Sequence, residues 1–238
     1  MLVDMVRFVA FDVLIHEAWP AYEQERAGGW ILRYAGGVTK RANSVLALEG
    51  PGDLAAAEAF YAARGLPCAF SMGPGVDPAL DAELAERGYS LVDPTVIMAA
   101  ADVPGLEPEH PVRIADEPWP EWLDTWWSVD GRYAAGLSAA ARICTGVPAL
   151  YAAVEEDGVP VAVGRGVPQG DFTGVYCMAT LPSARRRGLA RSVLRALVRQ
   201  APSAYLVTTE VNRAAQELYR GEGFEVAGGY HYRVGKRP

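Results

Sequence analysis

Cysteine and histidine are scarce in this chain: three of each, scattered along 238 residues. Cys68, Cys144 and Cys177 form no CxxC pair and no Cys/His cluster. That excludes a disulfide framework and a zinc site of ordinary spacing. His16, His110 and His231 lie far apart, so a histidine-rich metal site is excluded and no metal is expected. Free thiols suit a reducing compartment, and a cytoplasmic location is expected. No run of about 18 apolar residues exists, the length a membrane-spanning helix needs. Residues 1–20 carry apolar stretches broken by Asp4, Arg7 and Asp12. They lack the charged start, apolar middle and small-residue cleavage site of a signal peptide. An excess of positive charge is missing too. With a net charge of −7 and a pI near 5.1, the chain has no overall pull toward nucleic acid or an anionic membrane.

What is present is an ordinary globular composition, 50% hydrophobic and 21% charged, enough to fill one large core or two small ones. Val103-Pro-Gly-Leu-Glu-Pro-Glu-His-Pro111 holds three prolines and a glycine, which oppose both helix and interior strand. It reads as a linker between domains at 1–104 and 111–238. In the first half, strands are expected at Trp30–Tyr34, Asn43–Leu48, Pro67–Met72 and Tyr89–Ala99. Helices are expected from the Asp53 cap to Ala63 and over Pro78–Arg87. In the second half a helix carries Trp126 and Trp127. Ala149–Glu155 and Val159–Val167 form a hairpin across Asp157-Gly158, and Gly174–Leu181 follows. A long helix runs from about Arg186 to Gln200, with Leu189, Val193, Leu194, Leu197 and Val198 at helical spacing. A strand at Ala204–Thr209, a helix at Arg213–Arg220 and a closing strand or hairpin at Phe224–Val234 complete it.

The densest chemical signal is Met178-Ala-Thr-Leu-Pro-Ser-Ala-Arg-Arg-Arg-Gly-Leu-Ala-Arg191. A strand ends, Pro182 breaks it, and a glycine-containing turn opens a helix. The first amides of a helix lack internal partners, and the helix dipole adds partial positive charge there. Together they make an anion site. Taken alone, Arg185–Arg187 also fits a solvated basic face or a nucleic-acid patch. Farther on comes Asn212-Arg-Ala-Ala215-Gln-Glu-Leu-Tyr219-Arg-Gly-Glu-Gly223-Phe224. Asn212 is a natural N-cap, and Ala215 and Tyr219, four apart, share a helix face.

These two stretches resemble the signatures of the GNAT superfamily of N-acetyltransferases. R/Q-x-x-G-x-G/A is matched by Arg185, Gly188 and Ala190, and N-x-x-A-x-x-x-Y followed by G-F by Asn212, Ala215, Tyr219, Gly223 and Phe224. The resemblance covers roughly Pro111 to Val234. It implies an α/β (α+β) fold of tandem GNAT units, each a mixed, mostly antiparallel sheet flanked by helices, with the first unit degenerate. It implies acetyl-CoA as co-substrate and a primary amine of a small molecule, amino acid or peptide as acceptor. A transferase for longer acyl-CoA, or a CoA-binding regulatory module without turnover, are the alternatives. By position, the main chain of Met178, Ala179 and Thr180 would hold the pantetheine arm and acetyl carbonyl. Amides of Arg186, Arg187, Gly188, Leu189, Ala190 and Arg191 would hold the diphosphate. Asn212 would contact the coenzyme, and Tyr219 would act as acid toward the leaving thiolate. The tandem reading also implies one active site per chain, in a monomer that is its own pseudo-dimer or in a homodimer.

The remaining candidates are less marked. Gly174–Thr180 contains no carboxylate, so the base is sought among Asp130, Asp171, Glu210 or a water chain. Tyr176 and Cys177 lie close enough in sequence to reach the site. Trp119, Trp122, Trp126, Trp127, Arg132 and Tyr133 fall where an acceptor pocket is expected, though at least two of the tryptophans read as core. In the first half, Trp30, Arg33, Arg41 and Asn43 either line a groove or, the stronger reading, serve packing and strand pairing.

Overall fold

The computed structural model describes residues 10–101, 105–131 and 136–237. They fall into two compact units, Ala10–Val96 joined by residues 228–237, and Ile97–Ala227. Arg132 and Tyr133 lie outside the described residues.

The N-terminal unit opens with α1 (Phe11–Ala18), which the sequence reading did not place. Its apolar Phe11, Ile15 and Ala18 recur at helical spacing and are buried. Then follow β1 (Glu23–Tyr34), β2 (Val45–Gly52), α2 (Leu54–Ala62), β3 (Ala69–Met72), α3 (Pro78–Glu86) and β4 (Ser90–Ala100). The last strand of the chain, β10 (Glu225–Val234), returns to this unit with its final residues, and the strand order is β1-β2-β3-β10-β4. β10 pairs antiparallel with β3, from His231 opposite Met72 to Val234 opposite Ala69. β1 starts well before Trp30, in an exposed charged run where no apolar alternation marks a strand. Cross-strand pairing holds it there, including Arg26 with Glu49 at 2.6 Å. The core gathers Trp30, Leu32, Val45, Phe60, Tyr61, Phe70 and Leu84, with Trp30 edge-on to Phe70 at 5.1 Å.

The polar residues singled out in this half are structural. The Trp30 indole donates to the Gly50 carbonyl at 3.1 Å. The Asn43 side chain accepts from the Ala35 and Gly37 amides (2.8 and 2.9 Å) and donates to the Val38 and Thr39 carbonyls. All four of its hydrogen-bonding positions thus serve the backbone of one turn. Arg33 is buried, with Nε and Nη2 on the carbonyl and hydroxyl of Ser44, both at 2.8 Å, and Nη1 3.3 Å from His16 Nδ1. Arg41 donates to the Tyr230 hydroxyl at 3.1 Å.

The C-terminal unit contains the rest of β4, then β5 (Arg113–Ala115), α4 (Pro120–Asp130), α5 (Gly136–Cys144), β6 (Leu150–Glu156), β7 (Val159–Gln169) and β8 (Phe172–Thr180). It ends with α6 (Leu189–Val198), β9 (Ser203–Thr209), α7 (Arg213–Gly221) and the first residues of β10. Strand order is β4-β9-β8-β7-β6-β5. β5 to β8 are antiparallel neighbours, while β8 and β9 run parallel. This is the mixed, mostly antiparallel sheet with flanking helices expected of the fold class. α6 lies on β7 at Gly164, where an added Cβ would stand 2.8 Å from Val193 and 3.1 Å from Leu197. The missing side chain is what admits the helix so close to the sheet.

The half-buried His16 makes the N-terminal unit sensitive to acid. Burial, and then the Arg33 charge, push its imidazole down to about 4. Between that value and the ordinary one near 6.5, the unfolded chain binds a proton that the folded unit refuses, so stability falls as pH drops through this window. Asp12 is raised by burial and acts with the opposite sign above its ordinary value near 3.8. The denaturant midpoint is expected to fall from pH 7 to pH 4.5, and to fall less in His16→Gln. An equal slope in both would remove His16 as the cause.

Candidate functional site

β8 shapes the site. Val163 faces Ala179 and Arg165 faces Tyr176, so Gly164 alone lies opposite both Cys177 and Met178. The extra residue is a bulge, with Cys177 at φ 54. β8 and β9 pair from Phe172 with Ser203 to Val175 with Leu206, and β8 then continues to Thr180 past the last of those pairs. Two parallel strands that part in this way leave main-chain groups facing a gap.

A cleft of about 750 Å³ lies beside this end of β8. Met178, Ala179 and Thr180 line it from β8, and Ala184, Arg185, Arg186 and Gly188 from the turn. Leu189, Ala190 and Arg191 follow from α6, and Asn212, Ala215 and Tyr219 from α7. Thus the structure brings together every cofactor-site residue named from the sequence except Arg187, whose side chain pairs outward with Glu156. The Arg191 guanidinium is also engaged, with Glu222 at 3.0 Å and Glu109 at 3.6 Å.

The turn itself is built for an anion. Arg186 and Gly188 both have left-handed backbone, with φ 65 and 79. Such conformations bring successive amides onto one concave side. α6 begins later than the sequence suggested, at Leu189, because Gly188 is its cap. Helices α2, α3 and α7 each have a first-turn amide covered by Asp53, Asp77 or Asn212. α6 has no side-chain cap, and its first-turn residues line the cleft. Its uncapped amides are therefore directed at whatever the cleft holds.

Opposite the turn stands Tyr219, buried, on the same face of α7 as Ala215. Burial pushes its phenol up to about 12, so it stays protonated throughout the neutral range. Phe224 fixes its position by donating its amide to the Tyr219 carbonyl at 3.0 Å and placing its ring 6.2 Å away. The two walls of the cleft are tied at Glu222. Arg195 of α6 grips its carboxylate with Nε at 2.7 Å and Nη2 at 3.1 Å.

The other candidates lie elsewhere. Asp171 and Glu210 are exposed at strand ends, and their carbonyls accept from the Ser203 amide and the Gln216 side chain. Asp130 closes α4 beside Val129, which does line the cleft. The cleft's lining carboxylate is Glu217, an exposed α7 residue that no motif marked. Tyr176 is buried with its hydroxyl 2.6 Å from that of Tyr205. The Cys177 sulfur lies 3.8 Å from that of Cys144, and burial pushes its thiol up. Trp122 is fully buried, its indole on the Ala152 carbonyl at 3.0 Å, and Trp126 is buried beside it. Both are core. Trp119 and Trp127 are half-buried, and the Arg113 guanidinium lies 4.0 Å above the Trp119 ring.

Residues 12–233 match the family described as "Probable histone acetyltransferase Rv0428c C-terminal". The chain belongs to that family. It is an N-acetyltransferase of the GNAT type. Among its relatives is the uncharacterized N-acetyltransferase YobR of Bacillus subtilis (strain 168), 28% identical over 234 residues, which span 91% of this chain and 94% of the relative. The GCN5-related N-acetyltransferase from Kribbella flavida shares the fold, with a TM-score of 0.69 at 21% identity over 100% of this chain and 96% of that one. A tandem GNAT protein from the clavulanic acid biosynthesis pathway does so with a TM-score of 0.59 at 13% identity, over 94% and 86%.

The tie at Glu222 is open to test. Its side chain is only 6% exposed and that of Arg195 14%. Removing one partner of such a pair leaves the other charge buried, which costs about 3 kcal/mol. Glu222→Ala is expected to lower unfolding stability by that order in urea titrations. A loss below about 0.5 kcal/mol would show the tie to be dispensable.

Proposed function

We propose that this acetyltransferase takes the acetyl group from acetyl-CoA and passes it to the primary amine of a small molecule, an amino acid or a peptide. One observation carries the reading: α6 has no side-chain cap, and its first turn borders the cleft beside the end of β8. A helix start of this kind accepts a diphosphate without further machinery. Amides from Arg186 to Arg191 would hold that group, and the main chain of Met178–Thr180 would hold the arm and the acetyl carbonyl. A donor at that carbonyl oxygen would stabilise the charge it gains when an amine attacks.

Tyr219 would face the sulfur. A phenol at about 12 is a weaker acid than an alkyl thiol, near 8.5 in model compounds. Full proton transfer to the departing thiolate is therefore uphill, and the better-supported role is a strong hydrogen bond that lowers the thiolate's energy as it leaves. Attack requires the acceptor as a free amine. Asp171 and Glu210 stand outside the cleft, which leaves the lining Glu217 carboxylate or water to take that proton. The family description names a histone acetyltransferase, which brings a protein lysine into the set of acceptors worth trying.

Titration calorimetry with coenzyme A should show stoichiometric binding of one equivalent, and no detectable binding would overturn the reading. In a thiol-release assay over a panel of amines and lysine peptides, Tyr219→Phe is expected to lower kcat about 10- to 100-fold with KM for acetyl-CoA nearly unchanged. A rate equal to wild type would exclude Tyr219 from the reaction. The activity should rise with pH as the acceptor deprotonates, with no descending limb from Tyr219 below about pH 11. A Tyr219-dependent fall near pH 8 would contradict its burial.

A further inference from the structure

The segment before β5 is fastened along α6. The buried Ser192 hydroxyl accepts the backbone amides of both Glu109 and His110, each at 3.1 Å. The Glu109 carboxylate pairs with Arg195 at 3.0 Å. From this anchored position the His110 ring reaches the turn and places Nε2 3.0 Å from the Arg187 carbonyl oxygen, to which it donates.

That contact decides which way one peptide faces. In a planar trans peptide the carbonyl of residue 187 and the N–H of residue 188 point in opposite directions. With the Arg187 carbonyl turned to His110, the Gly188 N–H points to the other side, and Gly188 lines the cleft. Gly188 sits at φ 79, and glycine adopts either sign of φ at little cost. The Arg187–Gly188 peptide therefore has little intrinsic resistance to flipping. Flipped, it would present a carbonyl oxygen where a diphosphate is to be received, exchanging a donor for a repulsive acceptor. The packing leaves no slack on the outer side: a Cβ at Gly188 would lie 3.3 Å from Glu109 Oε2 and 3.8 Å from His110 Nε2.

We infer that His110 is a positioning residue for coenzyme binding, holding the Arg187–Gly188 peptide so that the Gly188 amide faces the diphosphate. The inference rests on the coenzyme A reading of the cleft and deepens it. His110 touches neither the acyl group nor Tyr219, so its loss should weaken coenzyme binding and leave the chemical step alone.

The test compares wild type, His110→Leu and His110→Gln by calorimetry with coenzyme A and by steady-state kinetics. Leucine keeps bulk but removes the donor, whereas glutamine places an N–H near the position of Nε2. His110→Leu is expected to raise both the coenzyme A Kd and the acetyl-CoA KM about five- to tenfold, the worth of one hydrogen bond, with kcat within about twofold. His110→Gln should recover most of the loss. Ser192→Ala, which releases the segment at its anchor, should weaken binding in the same direction. Wild-type affinity in His110→Leu, or a glutamine variant as weak as the leucine one, would overturn the inference while leaving the coenzyme reading intact. Failure of the wild type to bind coenzyme A would overturn both.

Discussion

Glu222, just past the end of α7, turns its carboxylate back onto Arg191 and Arg195 of α6. α6 contributes the anion-binding turn to the cleft and α7 contributes Tyr219. The separation of these two walls is thus set by ion pairs on a single, nearly inaccessible carboxylate. Glu109 adds to the same cluster from the preceding segment. Two arginines of the helix are neutralised within the protein in this way, while Arg185 and Arg186 line the cleft from the turn. Amides in a rigid turn have fixed directions, whereas long arginine side chains do not.

The sequence made the cleft legible because its parts are local. A strand end, a proline, a glycine turn and an amphipathic helix occur within fourteen consecutive residues, and the N-x-x-A-x-x-x-Y face needs only helical spacing to put Ala215 and Tyr219 together. What stayed hidden depends on distant partners. β1 begins in Glu23-Gln-Glu-Arg because β2 lies beside it, and β5 is three residues long and owes its existence to β6. α5 opens on Gly136 and is preceded in the sequence by two alanines, so no Ser, Thr, Asp or Asn signals its start. Whether Arg187 faces the cleft or Glu156, and whether Trp122 is a wall or a core residue, are matters of side-chain direction that a run of like residues does not encode.

The N-terminal half shows the same distinction from the other side. Packing and strand pairing are the stronger reading for its arginine, tryptophan and asparagine, and Arg33 is spent on Ser44 and His16, and Asn43 on four backbone groups. Burying a guanidinium is costly unless its donors are satisfied, and satisfying them ties α1, the turn after β1 and the start of β2 into one polar cluster. Tyr61 joins it, exchanging hydrogen bonds with the amide and carbonyl of Arg33 at 3.2 and 3.0 Å. These residues hold the unit's irregular turn in place.

The path of β10 has a consequence for how the protein comes into being on the ribosome. Strand order places β10 between β3 and β4, so residues 228–234 form an interior strand of the unit built mainly from Ala10–Val96. Nascent chains usually fold domain by domain in order of synthesis. Here the unit made first must wait, its sheet open along the β3 edge, while some 130 residues of the other unit are translated and supply their own contacts. An unpaired interior edge is an invitation to the wrong partner. The Asp81 contacts of Arg233, at 2.7 and 3.0 Å, and of His231, at 2.8 Å, then act as a latch that closes only after the other unit has been translated.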